Sequence, residues 1–178
     1  MATHVFEIAP SGRSKCRGCG EKIDKQTLRF GERLPNPFGD GEMTHWHHPA
    51  CAAQRRPASL LETLIDYPQQ DDPENDKATL MEDADNAVSN PRLQRLGNIE
   101  QASSGRARCR HCNDLVTMGD WRLPLIYFTD DAYNSSGFIH LTCAKEYCET
   151  HKVWRTIACF AKRLDEQSIA EIEAIVQR

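Results

Sequence analysis

Residues 11–19 read Ser-Gly-Arg-Ser-Lys-Cys-Arg-Gly-Cys, and residues 45–51 read His-Trp-His-His-Pro-Ala-Cys. The first stretch ends in a Cys-x2-Cys pair, and the second ends in a His-x2-Cys pair after 28 intervening residues. The four candidate ligands are Cys16, Cys19, His48 and Cys51. The last two are three residues apart and therefore share one side of a helical turn. Three thiolates and one imidazole form a closed tetrahedral set, so the spacing predicts a structural zinc ion rather than a catalytic one.

The same pattern returns 93 residues later. Residues 104–112 read Ser-Gly-Arg-Ala-Arg-Cys-Arg-His-Cys, and a second His-x2-Cys pair follows after 27 residues instead of 28. The second candidate set is Cys109, Cys112, His140 and Cys143. Further positions match at the same offset, including Glu7 with Glu100 and Arg29 with Arg122, which indicates a duplicated module. A single Cys-x2-Cys pair also suits a buried or redox pair, but two complete sets in register favour two zinc ions.

Length and composition limit the class of protein. At 178 residues the chain has room for one or two small domains with modest cores that a metal would help to hold. Eight cysteines would suit a secreted disulfide protein, but no signal peptide opens the chain, and two Cys3His sets fit a reducing interior. No apolar stretch approaches the roughly 20 residues that a membrane span requires. The expected location is intracellular.

The charge is unevenly distributed along the chain. The net charge of -4 combines +3 in residues 1–60, -7 in residues 61–100 and 0 in residues 101–178. The basic residues gather at the two openings, as Arg13, Lys15 and Arg17 and again as Arg106, Arg108 and Arg110. Such a cluster is often only a solvated face, but its repetition at matched positions favours contact with phosphates.

The hydrophobic pattern predicts a small α+β zinc-binding module that occurs twice, each with a short antiparallel sheet and helices around a Cys3His site. The first module is expected over residues 1–66, an acidic connector with a helix over 67–95, and the second module over 96–178. For the first module the pattern predicts strands near 5–9, 27–34 and 45–47, and helices from Pro49, over 58–65 and over 77–88 with Leu80, Ala84 and Val88 facing inward.

For the second module the pattern predicts a strand over 121–128, interrupted at Pro124 by an edge position or a bulge. A loop over 129–137, a helix from Cys143 to about Lys162 and a last helix after Ser168, capped with Glu171, complete the module. Cys148 and Cys159 have no counterparts among the repeated ligands and are expected to be small buried residues.

These residues resemble the PARP-type zinc finger family, the break-sensing fingers of nuclear poly(ADP-ribose) polymerases and of one vertebrate DNA ligase. The marks are the Glu-x-Ala-x-Ser-Gly-Arg-x-x-Cys-x2-Cys opening, Arg29 after the second cysteine, and the His-Trp-x-His-x2-Cys close. Residues 164–169 look like the run of acidic residues and glutamine through which the family's closing helix begins. The resemblance covers most of the chain as two tandem copies. The second copy departs from it in its middle loop and at Phe138, which replaces Trp46.

The resemblance implies sequence-independent binding of DNA nicks, gaps or ends by a damage sensor or recruiter. Arg13 and Arg29, with Arg106 and Arg122, would then contact the sugar-phosphate backbone beside the break. An exposed base face can also be stacked by an apolar loop residue. The further candidate DNA-binding residues are Lys15, Arg17 and Arg108 for phosphates, and Phe38, Met43 and, in the second loop, Tyr133 for bases. The alternative for a loop aromatic is packing against its own module.

The resulting prediction is a DNA-associated protein with two structural Zn²⁺ ions per chain and no catalytic site of its own. Its partners would be damaged DNA and a repair enzyme, with no membrane and no small-molecule substrate. The alternative is a zinc-stabilised protein–protein interaction adaptor. An adaptor would explain the metal sets and the acidic connector, but not the twice-matched Ser-Gly-Arg segment and strand arginine.

Overall fold

A computed structural model of the chain describes residues 4–68 and 76–178. The chain divides between Ser89 and Asn90 into two compact units, called here the first and second modules. Each module contains a three-stranded antiparallel sheet with helices beside it, so the predicted α+β fold class and its duplication are confirmed. None of the described helices is both long and apolar enough to cross a membrane.

In the first module the middle strand of the sheet carries the matched arginine. The sheet consists of β1 (Val5–Ile8), β2 (Leu28–Pro35) and β3 (Glu42–His47), in that order. Three α-helices follow in the described part of the module, namely α1 (Pro49–Arg55), α2 (Pro57–Thr63) and α3 (Lys77–Ser89). A proline opens both α1 and α2, where its fixed φ angle suits the first helical position. The predicted strands and helices of this module are therefore present.

The helices of the first module cover one side of its sheet. Phe30 of the middle strand packs with Leu60 and Leu80 in a buried cluster. Helix α3 contacts α1 and α2 and so belongs to the first module. Its inner face was predicted incorrectly at one position, because Val88 is exposed and Ala87 is buried. Residues 69–75 of the predicted acidic connector lie outside the described residues.

The second module repeats the sheet with a shorter first strand and longer second and third strands. It contains β4 (Glu100–Gln101), β5 (Trp121–Thr129) and β6 (Ala132–His140), followed by α4 (Ala144–Cys148), α5 (Trp154–Cys159) and α6 (Glu166–Gln177). The strand register shifts between Pro124 and Ile126, so the predicted bulge is present, and the alternative of an edge position is wrong because β5 is the middle strand. The bulge directly follows Pro124, the strand residue that has no N–H to donate to the ladder.

Three expectations for the second module are wrong. Residues 132–137 are strand rather than loop, because Asp130 and Asp131 adopt positive φ angles of 51° and 56° and close a tight two-residue hairpin. The predicted long helix is broken where Glu149 takes a left-handed conformation and ends α4. The last helix begins earlier than expected, because the Asp165 side chain accepts a hydrogen bond from the Ser168 N–H and caps it.

A buried ion pair distinguishes the core of the first module from that of the second. Glu32 on β2 is fully buried, and it accepts hydrogen bonds from Arg56 Nε at 2.7 and 2.8 Å and from Ser59 Oγ at 2.6 Å. Burial alone would raise the pKa of Glu32, but these hydrogen bonds outweigh it and lower the pKa. At the matched positions the second module has Leu125 and Cys148, both buried. An apolar pair therefore replaces the ionic one.

We expect Glu32→Ala to destabilise the first module selectively. Removing one partner of a buried pair strands the other charge and costs about 3–5 kcal/mol, and the partial exposure of Arg56 favours the lower end. Hydrogen exchange of the full chain, resolved by mass spectrometry, measures the loss module by module. Leu125→Ala is the matched control and should weaken the second module only. Equal weakening of both modules by Glu32→Ala would contradict this account.

Candidate metal centres and nucleic-acid interface

The predicted ligands of the first set converge on one point. The four ligand atoms of Cys16, Cys19, His48 and Cys51 all lie within 4.8 Å of one another. His48 presents Nδ1, which lies 3.5 Å from the Cys19 sulfur and 3.8 Å from the Cys51 sulfur. A tetrahedral zinc ion with Zn–S of about 2.3 Å and Zn–N of about 2.0 Å separates sulfur from nitrogen by about 3.5 Å. The first set therefore fits a structural zinc site.

The second set has the same geometry. Its four ligand atoms also lie within 4.8 Å of one another, and Nδ1 of His140 lies 3.4 Å from the Cys112 sulfur and 3.8 Å from the Cys143 sulfur. In both modules the histidine is the last strand residue or the residue after it, and the fourth ligand follows three positions later. The two sets confirm the prediction of two structural zinc sites, each closed by four protein ligands.

Backbone donors and neighbouring sulfurs prepare the ligands for a cation. The His48 N–H donates to the Cys16 sulfur at 3.3 Å, and the His140 N–H donates to the Cys109 sulfur at 3.4 Å. The sulfurs of Cys16 and Cys19 raise the pKa of His48 to about 10. Burial opposes ionisation of Cys109, but backbone N–H groups outweigh it and lower the pKa to about 7. The raised pKa of His48 reflects the negative charge of the neighbouring sulfurs, and a bound metal ion would take the place of the imidazole proton.

A stacked arginine joins the sheet to the opening segment in each module. In the first module Arg29 donates to Glu7 on the neighbouring strand and to Ser14 Oγ at 2.8 Å. Its guanidinium lies 3.6 Å from the centre of the Trp46 ring, and Gly31 leaves the space that this ring occupies. The arginine is thus enclosed between a carboxylate and an aromatic face.

The second module builds the same sandwich from different residues. Arg122 donates to Glu100 at 2.6 and 2.9 Å and lies 3.6 Å from the centre of the Phe138 ring. The replacement of Trp46 by Phe138 therefore preserves the aromatic cover. Ser14 has Ala107 as its counterpart, so the link from the arginine to the opening segment occurs in the first module only.

The two strand arginines are buried and paired within their own modules. Arg29 is 6% exposed and Arg122 is 7% exposed, and both carry an ion pair within their own module. The matched pairing of Glu7 with Arg29 and of Glu100 with Arg122 on adjacent strands was the signal that sequence reasoning missed.

The cations of the opening segments are in contrast exposed. The exposed side chains at the two knuckles, the tight turns that carry the first two ligands of each set, are Arg13, Lys15 and Arg17 in the first module and Arg106, Arg108 and Arg110 in the second. Arg108 donates to the Asn113 carbonyl at 3.0 Å, which holds its guanidinium beside the knuckle. These side chains meet the requirement for contact with a polyanion.

The hairpin of the first module presents an aromatic ring to solvent. Phe38 is 92% exposed at the tip between β2 and β3. The tip is held by its own hydrogen bonds, from Phe38 N to Asn36 Oδ1 at 3.1 Å and from Asn36 N to the Gly41 carbonyl at 3.0 Å. Met43 is half-buried on β3 opposite Leu34. The alternative of packing against its own module therefore fails for Phe38.

The hairpin of the second module differs in character. Tyr133 is half-buried and lies opposite Phe128 on the adjacent strand, with the ring centres 5.0 Å apart. Its ring therefore packs within the module and does not project as Phe38 does. The tip is formed by Asp130 and Asp131. Two carboxylates at this position would repel a phosphate backbone, so the two hairpins do not present the same surface.

Comparison with known proteins agrees with this geometry. Residues 7–86 match the family model described as the poly(ADP-ribose) polymerase and DNA-ligase Zn-finger region. The chain is 28% identical over 128 residues to poly [ADP-ribose] polymerase 1 of Gallus gallus, covering 66% of this chain and 13% of that protein. It is 28% identical over 162 residues to the corresponding polymerase of Oryza sativa subsp. japonica, covering 88% of this chain and 16% of that protein.

A relative with a different name also matches. The chain is 24% identical over 162 residues to polynucleotide 3'-phosphatase ZDP of Arabidopsis thaliana, covering 78% of this chain and 23% of that protein. The chain therefore spans less than a quarter of the length of these curated relatives. The similarity covers the zinc-finger modules of this chain, and most of each relative lies outside the aligned part.

We expect metal analysis of the purified full chain to return two zinc ions per molecule. Because each set closes around its ion, chelation should unfold the modules and not merely inactivate a surface. The measurement is elemental analysis together with thermal unfolding before and after chelation. Cys112→Ala should remove one ion and leave the other, whereas Cys148→Ala, a control at a buried cysteine outside both sets, should retain two. A folded chain with one ion or none would contradict the assignment.

Proposed function

The first module of this chain belongs to the poly(ADP-ribose) polymerase and DNA-ligase zinc-finger family, and from this premise we propose that the chain binds DNA strand breaks through zinc-stabilised modules. Binding would be independent of sequence, and the chain would act as a sensor of damage or a recruiter of a repair enzyme. The name of the Arabidopsis thaliana relative, a polynucleotide 3'-phosphatase, also refers to chemistry at a strand end. The proposed activity of this chain is binding rather than catalysis.

The exposed ring of Phe38 is the observation that carries the proposal. A phenylalanine that is 92% exposed gains little from its own fold, yet hydrogen bonds within the tip hold it in a defined place. Intact duplex covers its base faces by stacking, whereas a nick that bends or an open end exposes them. An aromatic ring at the tip can cover such a face without reading sequence. Phe38 therefore supplies selectivity for a break, with Met43 supporting it from β3.

The exposed cations of the first knuckle would hold the backbone beside the break. Arg13, Lys15 and Arg17 are exposed and lie next to the zinc site, which fixes their backbone. Contacts of this kind position the protein but carry no sequence information. We assign Arg29 a positioning role in this arrangement, because its guanidinium is already engaged by Glu7 and Trp46 and it anchors Ser14 next to Arg13. Arg122 would join the strands of the second module through Glu100, without a link to the opening segment.

The second module would add affinity rather than duplicate the first. Two linked sites on one DNA molecule gain from effective concentration even when each binds weakly. Arg106 and Arg108 repeat the exposed cations, but the hairpin tip carries Asp130 and Asp131 where the first module has Phe38. The two modules are therefore expected to contact different parts of the broken DNA.

We expect Arg13→Ala to weaken binding to nicked DNA of any sequence and to reduce the salt dependence. With one phosphate contact fewer, binding releases fewer counterions from the DNA. The magnitude of the slope of log K against log salt concentration should therefore fall by roughly one. The measurement is a titration of nicked duplex at several salt concentrations. Arg33→Ala removes the same charge from an exposed site on β2, away from the knuckle, and should leave the slope unchanged. A changed sequence preference would contradict the assigned role.

We expect Phe38→Ala to reduce binding to nicked DNA by about 1–3 kcal/mol while hardly affecting the weak binding to closed circular DNA. The thermal stability should be unchanged, because the ring is 92% exposed and contributes little to the core. Tyr133→Ala is the matched control in the other hairpin. It should lower stability, since it removes a cross-strand ring contact, without changing the ratio of the two affinities. An equal loss on nicked and closed DNA for Phe38→Ala would remove the basis of break selectivity.

A further inference from the structure

The loop after the second cysteine is matched in the two modules but opposite in polarity. At the 93-residue offset, Lys22 and Lys25 of the first module correspond to Leu115 and Met118 of the second. Leu115 is 52% exposed and Met118 is 69% exposed. The local backbone is the same in the two modules. An isolated antiparallel β-bridge joins Lys15 to Lys22 in the first module, and another joins Arg108 to Leu115 in the second. Two solvated cations are thus replaced by two solvated apolar side chains on the same scaffold.

This loop is held in place by the metal centre and by the module core. The outer nitrogen of the zinc ligand His140, Nε2, donates to the Leu115 carbonyl at 3.1 Å. Val116 between the two apolar residues is fully buried, and its N–H donates to the Ala107 carbonyl at 2.9 Å. A metal ligand oriented by such a contact fixes the loop in return. Leu115 and Met118 are therefore presented on an ordered segment.

The charges around these apolar residues remain positive. Residues 104–120 contain three arginines and two aspartates, and the matched residues 11–27 contain five basic and two acidic residues. The arginines at positions 106, 108 and 110 are all exposed. Gly105, which precedes Arg106, lies against the backbone of Met118: a Cβ atom added to this glycine would lie 3.8 Å from the Met118 nitrogen. The surface thus pairs cations with an apolar area.

We infer that this surface, formed by Arg106, Arg108, Leu115 and Met118 and called here the second knuckle face, binds an unpaired nucleotide at a gap or flap. The inference rests on the proposed break binding and names the part of the DNA that the second module takes. The arginines would hold the phosphates, and the two apolar side chains would cover the face of a base that no partner strand stacks. Intact duplex offers phosphates, but its bases are stacked on both sides. The second knuckle face therefore selects single-stranded nucleotides.

A nucleotide fits this surface better than a protein segment does. The three arginines occupy the positions of Arg13, Lys15 and Arg17, so the second module retains the feature that suits a polyanion. Only the two positions on the adjoining loop have become apolar. A polyanion with an apolar face is a nucleic acid strand whose bases are exposed. The acidic hairpin tip at Asp130 and Asp131 is unsuited to phosphates, which leaves the knuckle as the DNA-facing end of this module.

The test compares three DNA molecules bound to the full zinc-loaded chain. One is a nicked duplex, one contains a short single-stranded gap, and one contains the same gap with abasic nucleotides, which keep the phosphates and lack the bases. We expect the unchanged chain to bind the base-containing gap about tenfold more tightly than the abasic gap. Leu115→Ser with Met118→Ser should abolish this difference, while binding to the nicked duplex and the content of two zinc ions stay the same.

A second variant and a control separate the outcomes. Leu115→Lys with Met118→Lys restores the first-module residues and should also abolish the difference. Two added phosphate contacts should raise the magnitude of the slope of log K against log salt concentration by roughly two. Lys22→Ser with Lys25→Ser is the matched control and should weaken binding to all three DNA molecules alike. Equal affinity of the unchanged chain for the two gaps would overturn the inference and leave the second knuckle face to a protein partner.

Two further results distinguish this inference from the proposed function. A loss that is equal on all three DNA molecules for the serine variant would assign Leu115 and Met118 a structural role and overturn the inference. A chain that preferred nicked over intact duplex but ignored the bases of the gap would retain the proposed function without this site. A chain with no preference for any break would fail the proposed function itself.

Discussion

Closure of three thiolates and one imidazole around one ion is the constraint on which each module depends. The ligands of the first set come from a knuckle before β2 and from the junction of β3 with α1, segments separated by 28 residues. A metal at this point fastens the exposed opening segment to the end of the sheet. Modules of this size bury a modest core, so the ion contributes a large part of their folding free energy. Without it, neither the knuckle cations nor the hairpin would have a defined place.

On this shared frame the two modules have diverged at their surfaces. Both keep the stacked arginine between a glutamate and an aromatic ring, which ties the strands together beside the metal. The first module combines a basic knuckle with an aromatic tip at Phe38. The second combines a knuckle flanked by Leu115 and Met118 with an acidic tip. Because the apolar residues lie at the hairpin tip in one module and beside the knuckle in the other, we expect the modules to recognise different features of the same broken DNA.

Much of the frame could be predicted from the sequence because ligand spacing and duplication are local, repeated signals. Both metal sets, the duplicated sheets and the bulge at Pro124 follow from such signals. The hairpin at Asp130 was missed because two aspartates in a left-handed conformation look like a loop by composition. The burial of Arg29 was missed because strand alternation assigns a face but not the partners that cover it. Its carboxylate and its ring come from two other strands, and only the strand register brings them together.

The central claim is that this chain recognises a break and not duplex DNA in general. The most direct measurement is the affinity of the full zinc-loaded chain for one closed circular DNA, before and after a single nick is introduced at a defined site. The circle has the same sequence, length and phosphates in both states, so any difference reports the break alone. We expect tighter binding after nicking, by about tenfold or more. Equal affinity in both states would contradict it.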